Sequence, residues 1–159
     1  MSLTMAQLQL APVMEQRARE LELAFPGLIR FVSGRRSVQA QAIAMAGNHL
    51  LDPTGYLVRQ YVRAAEFLGA LAAHPGADTV DEVTELFFDL MTATPGLIKT
   101  PHFEGNAVDP KRMEDTTGKP TPDGQRVIDW IKACPDTVDF RTREGNLRRW
   151  HWACRPTPS

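Results

Sequence analysis

The feature that most constrains this chain is a change in the period of its apolar residues, a little past the middle. Up to about residue 93 they recur at helical spacing. Pro12 suits a first helical position, and Val13, Met14, Arg17, Ala18 and Leu21 continue a helix over 12–24 until "FPG" stops it. "LIRFV" at 28–32 reads as a short strand. Ser37 caps a second helix over 38–50, and a third pattern over 56–73 is carried by Tyr61, Ala64, Ala65, Leu68 and Leu71. Thr79 and Glu82 form a capping box that opens a helix to about Ala93 on Val80, Val83, Leu86, Phe87 and Leu90.

Beyond that point the apolar runs are short, at 97–100 and 106–109. A polar loop, "PKRMEDTTGKPTPDG", covers 110–124; so long a loop reads either as a segment bordering a binding cleft or as a disordered loop. One more helix is expected over Pro122–Ala133, capped by Thr121 and facing inward with Val127, Ile128 and Ile131. "VDFRT" and "LRRWHWA" flank "REGN", which reads as a four-residue hairpin connection. Helices followed by strands predict an α+β fold, with a small antiparallel sheet packed against several helices. The 159 residues suit a single domain spanning 1–159.

A formal net charge of −1 argues against nucleic acid or an anionic membrane as a partner. The last twenty-one residues are locally basic, with Arg141, Arg143, Arg148, Arg149 and Arg155 against Asp139 and Glu144. This reads as a solvated hairpin, or as a surface for a polyanionic wall polymer. No stretch is long and apolar enough to insert in a membrane, and the first twenty residues lack a basic start followed by an apolar run, so no secretory signal is expected. Cys134 and Cys154 are too few for a disulfide framework and are expected as two reduced, buried thiols.

Of the four histidines, His49 and His74 read as surface or capping residues. His102 and His151 sit in strand or loop segments beside aromatic residues. His102 and Asp109 are seven positions apart in "TPHFEGNAVDP", with Gly105 available for a tight turn and the small Ala107 between them. A catalytic zinc takes three protein ligands of His, Asp or Glu type plus a water, and His102, Asp109 and His151 supply such a set if folding brings 151 beside 109. The same spacing also suits unrelated surface residues. Cys154, three after His151, has no second pair with which to build a structural zinc site.

"TPHFEGNAVD" resembles the Ser/Thr-x-His-x-x-Gly-x-Ala-x-Asp motif of the D-alanyl-D-alanine metallopeptidase family. That family includes vancomycin-resistance-type D,D-carboxypeptidases and dipeptidases and phage endolysins that cut the L-alanyl-D-glutamate bond, and hedgehog domains share its zinc-site scaffold. "SGRRSVQAQ" at 33–41 is similar to the family's upstream Ser-Gly-Tyr-Arg-Ser…Gln segment, and "WHW" at 150–152 to its closing Trp-His-Trp/Tyr. The three motifs occur in order over residues 33–152.

The resemblance implies zinc held by His102, Asp109 and His151, with Arg36 steadying the oxyanion or a substrate carboxylate. It implies Gln41 and Thr100 as further substrate-binding positions. The implied protein is a monomeric peptidoglycan hydrolase that cleaves stem peptides at the bacterial cell wall or periplasm, and most plausibly a bacteriophage endolysin made in the cytoplasm. The sequence departs from the family three residues before the last histidine, where a carboxylate base is usual and Arg148 stands. Glu144, in the hairpin turn, is the first candidate for that base and Glu104 the second. A scaffold that binds zinc or a ligand without hydrolysis is the alternative. Trp130 and Phe140 are expected in the core, and Trp150 and Trp152 on the strand face opposite His151.

Overall fold

The computed structural model describes residues 2–159. Its elements, in chain order, are α1 (Met5–Leu8), α2 (Pro12–Ala24), β1 (Phe31–Ser33), α3 (Val38–Leu51), α4 (Tyr56–Gln60), α5 (Ala64–Ala73) and α6 (Val80–Ala93). A 3₁₀ turn (Pro101–Glu104), β2 (Ala107–Pro110), α7 (Pro122–Ala133), β3 (Thr137–Glu144) and β4 (Leu147–Cys154) follow. The fold is α+β, with a four-stranded antiparallel sheet in the order β1-β2-β4-β3.

Local chemistry sets most boundaries. Thr79 and Glu82 close a reciprocal capping box at the start of α6. Ser37 and Thr121 accept from Ala40 N and Gly124 N at the starts of α3 and α7. Several features differ from the sequence reading, beginning with the first strand, which occupies Phe31–Ser33 rather than 28–32. Thr4 and Gln7 form a second capping box that nucleates α1. The pattern over 56–73 is two helices, parted where Tyr61 adopts extended backbone. The hairpin connection is two residues, because β3 runs through Glu144 and Gly145, at φ 62°, begins the turn.

Contacts fall into two compact groups. The first comprises the chain up to Arg35, Pro101–Arg143 and Arg148–Ser159; the second comprises Arg36–Thr100 and Glu144–Leu147.

In the first group α1, α2 and α7 cover one face of the sheet. Leu8, Met14, Leu21, Val127 and Ile131 pack against Phe31, Val108, Trp150 and Trp152. Each buried tryptophan removes 150–250 Å² from water, roughly 4–6 kcal/mol of transfer free energy at most. Their indole N–H groups are satisfied too: Trp152 Nε1 donates to Thr137 Oγ1 and Trp150 Nε1 to Glu114 Oε1, both at 2.8 Å. Trp130 and Phe140 are partly buried at the edge of this core. Cys134 and Cys154 are buried free thiols, and burial pushes Cys154 up to about 12, which leaves it protonated and inert.

The second group is built on α3–α6. Phe67 meets Phe87 edge-on at 5.2 Å between ring centroids. His49, expected at the surface, is buried against Phe87 at 6.2 Å, and desolvation pushes its imidazole below the ordinary value. The reason is positional: α3 and α6 lie face to face, and a helix-end residue there is covered. A Cβ on Gly145 would come within 2.7 Å of Tyr56 Cα and 2.8 Å of Asp52 Oδ2, so this turn needs glycine for space as well as for φ.

Candidate metal centre

Strand alternation separates the core from a polar site. On β4, Trp150, Trp152 and Cys154 enter the hydrophobic core, which leaves His151 and Ala153 for the other face. On β2, Val108 enters the same core and is paired with Trp152, while Ala107 is paired with Ala153. Asp109, one residue beyond Val108, therefore shares the face of Ala107 and His151. His102 arrives from the 3₁₀ turn. Gly105 then reverses the chain at φ 77°, where a Cβ would lie 2.8 Å from Ala11 N and 2.9 Å from Gln9 O. The expected tight turn after His102 is present, with Gly105 N donating to His102 O at 3.3 Å.

Three donor atoms converge. His102 Nε2 lies 3.2 Å from His151 Nδ1 and 3.2 Å from Asp109 Oδ1, and His151 Nδ1 lies 3.1 Å from the same oxygen. Both imidazoles are buried, and Asp109 retains 14% side-chain exposure. A tetrahedral ion with ligands at 2.0–2.1 Å needs edges of roughly 3.3–3.4 Å, which this nearly equilateral triangle approaches. His102, Asp109 and His151 could thus hold a metal ion.

The tautomer of His102 is set by a partner that sequence inspection does not reveal. Its Nδ1 lies 2.7 Å from the carbonyl oxygen of Gly34, which can only accept. Nδ1 therefore carries the proton, and Nε2 presents its lone pair to the triangle. Gly34 is required where it stands, because a Cβ there would lie 2.5 Å from Leu8 O.

The other residues expected to act on substrate lie in the second group. Arg36 Nη1 donates to Gln41 Oε1 at 3.1 Å, and Gln41 Nε2 donates to Tyr61 Oη at 3.2 Å. Tyr61 and Tyr56 join hydroxyls at 2.9 Å. Burial, with the other phenol next to it, raises Tyr61 well above its ordinary value, and burial raises Tyr56 as well; Glu144 adds to both shifts. Arg36, Gln41, Glu144 and two neutral phenols thus form one polar cluster. The sequence reading placed Tyr61 on an apolar helical face; only the break after α4 turns its hydroxyl toward Gln41. Thr100 is half-buried in the same group.

Glu104, the second base candidate, is exposed in the first group, where its carboxylate accepts from Asn106 Nδ2 at 3.3 Å. Arg148 donates to Thr117 O at 3.2 Å, and a Cβ on Gly118 would meet its guanidinium carbon at 2.5 Å. The arginine holds down the loop that follows Asp109. That loop is also ordered from within: Asp115 Oδ1 accepts from Thr117 N and Lys119 N, and Glu114 bridges to Pro120.

The chain matches no family model, no curated protein and no solved structure.

Proposed function

We propose that the chain is a zinc-dependent peptidase that hydrolyses stem-peptide bonds of peptidoglycan, either the L-alanyl-D-glutamate bond or a terminal D-alanyl-D-alanine bond. The observation that carries this reading is the triangle of His102 Nε2, His151 Nδ1 and Asp109 Oδ1, with edges of 3.1–3.2 Å. Two imidazoles and one carboxylate are donors of the type that zinc prefers, and three protein ligands leave a place open for chemistry. When bound, zinc supplies Lewis acidity and a lowered water pKa. His102 and His151 contribute neutral donors, and Asp109 offsets part of the ionic charge.

In this reading Arg36 binds the substrate carboxylate or the developing oxyanion through its forked donors, with Gln41 as its fixed partner and Thr100 as a further substrate position. Glu144 takes the proton from the attacking water and returns it to the leaving amine, with Glu104 as the alternative base. The enzyme acts as a monomer at the bacterial cell wall, in the manner of a phage endolysin. A second reading, a zinc-binding module without hydrolysis, is favoured by Arg148, which stands where the resembling family carries its base.

The test is digestion of purified wall with zinc-loaded protein, followed by mass spectrometry of the released muropeptides. Fragments cut at one stem-peptide bond, lost in Glu144→Gln, support the peptidase and its base. Stoichiometric zinc with intact muropeptides supports the binding module, and a protein without zinc rejects both.

A further inference from the structure

The second nitrogen of His151 is the least explained polar atom of the metal centre. Nδ1 faces His102 and Asp109. Nε2 lies on the other side of the ring, buried and without a hydrogen-bond partner. A neutral imidazole that offers Nδ1 as a lone pair must carry its proton on Nε2, so the ligating form of His151 has a buried N–H in need of an acceptor. Buried polar groups are rarely left unpaired, and ligating histidines usually give their outer N–H to a carboxylate or carbonyl.

Asp139, on β3, presents that acceptor. Its Oδ2 lies 3.9 Å from His151 Nε2, and the carboxylate is 41% exposed, so it has room to swing. Closing to the 2.7–3.2 Å of an N–H···O bond takes roughly an ångström. Arg141 Nε donates to the same Asp139 oxygen at 2.8 Å and so holds it beside the gap. A base for the attacking water has to be on the Nδ1 side of the ring, and Asp139 is on the Nε2 side.

We propose that Asp139 is a positioning residue that accepts the Nε2–H of His151 and so fixes the tautomer and ring orientation that offer Nδ1 to the metal. The inference rests on the reading that His102, Asp109 and His151 bind zinc.

The test is zinc affinity, measured by competition with a chromophoric chelator, for wild type, Asp139→Ala, Asp139→Asn, Asp139→Glu and Arg141→Ala. The expected result is a loss of about 10–100-fold for Asp139→Ala, a smaller loss for Asp139→Asn, partial recovery in Asp139→Glu and little change in Arg141→Ala. The ¹H–¹⁵N spectrum of the zinc-loaded protein supplies a readout that general destabilisation does not move. The His151 Nε2–H resonance is expected downfield and slow to exchange in wild type, and upfield and fast in Asp139→Ala. If Asp139→Ala fails to fold, the isosteric Asp139→Asn carries the same comparison. Wild-type zinc binding with unchanged affinity and unchanged Nε2–H in the variants overturns the role of Asp139 alone. Absence of zinc binding by wild type overturns the metal reading and this inference together.

Discussion

Replacing Gly34 with alanine tests how the first imidazole is aimed. The new Cβ would lie 2.5 Å from Leu8 O and 2.9 Å from Leu8 Cα, both backbone atoms that no rotamer change can clear. The oxygen contact is 0.9 Å short of the 3.4 Å at which ordinary contact begins, so α1 and the end of β1 must part by close to that amount. Overpacking of this kind costs about 1–3 kcal/mol. The bond from Arg35 N to Leu8 O, 2.9 Å long, spans the same gap and forfeits about 0.5–1.5 kcal/mol if it breaks. We expect the metal-free variant to lose about 2–4 kcal/mol in urea unfolding. The displaced carbonyl also leaves His102 Nδ1, 2.7 Å away, without its acceptor, and loss of such an orienting partner lowers metal affinity about 10–100-fold. Chelator competition on the folded variant reads that second effect separately from stability. Lost stability with wild-type zinc affinity would refute the claim that Gly34 orients His102. Wild-type stability would refute the packing argument itself.

Asp109→Asn and His151→Ala are each expected to abolish stoichiometric zinc by elemental analysis while circular dichroism stays that of a folded α+β protein. On the zinc reading proposed above, wild type with zinc at a hundred times the dissociation constant should exceed the metal-free protein in unfolding free energy by about 2.7 kcal/mol. Arg148→Ala should leave zinc binding intact but speed proteolysis between Asp115 and Lys119, because it removes the donor to Thr117 O. Asp52 is held below the ordinary carboxylate value chiefly by the Asn146 N–H, 2.8 Å away. Its stabilisation is therefore full above about pH 4 and drains as pH falls through its lowered value, so Asp52→Asn should flatten the acid limb of melting temperature against pH.

How much of the fold was legible follows from where its signals are local. The boundaries of α6 and α7 were readable because Thr79, Glu82 and Thr121 accept from backbone donors within a single turn, and Pro122 at the first position of α7 has no N–H to leave unpaired. The split of 56–73 was not, because no glycine or proline marks it. The helix opens at Tyr61, whose hydroxyl finds Tyr56 and Gln41 through tertiary contacts that helical spacing does not encode. His49 escaped for the same reason, its burial being set by the packing of α3 on α6 rather than by its neighbours in sequence.

The candidate metal centre divides along a similar line, between side chains and the atoms that aim them. His102, Asp109 and His151 could be named because alternation along β2 and β4 puts apolar residues on one face and leaves these on the other. Their partners could not. Gly34 acts through a carbonyl oxygen, which every residue has, and Asp139 sits twelve positions from His151 in a basic stretch where it counts only as one charge among several. Yet a donor triangle with 3.1–3.2 Å edges is useful only if each imidazole presents a lone pair inward, and that depends on what holds the opposite nitrogen. For His102 the opposite nitrogen already donates to a backbone carbonyl. For His151 it faces a carboxylate about an ångström too far, so the second imidazole is the part of the site whose orientation should respond most to a change at position 139.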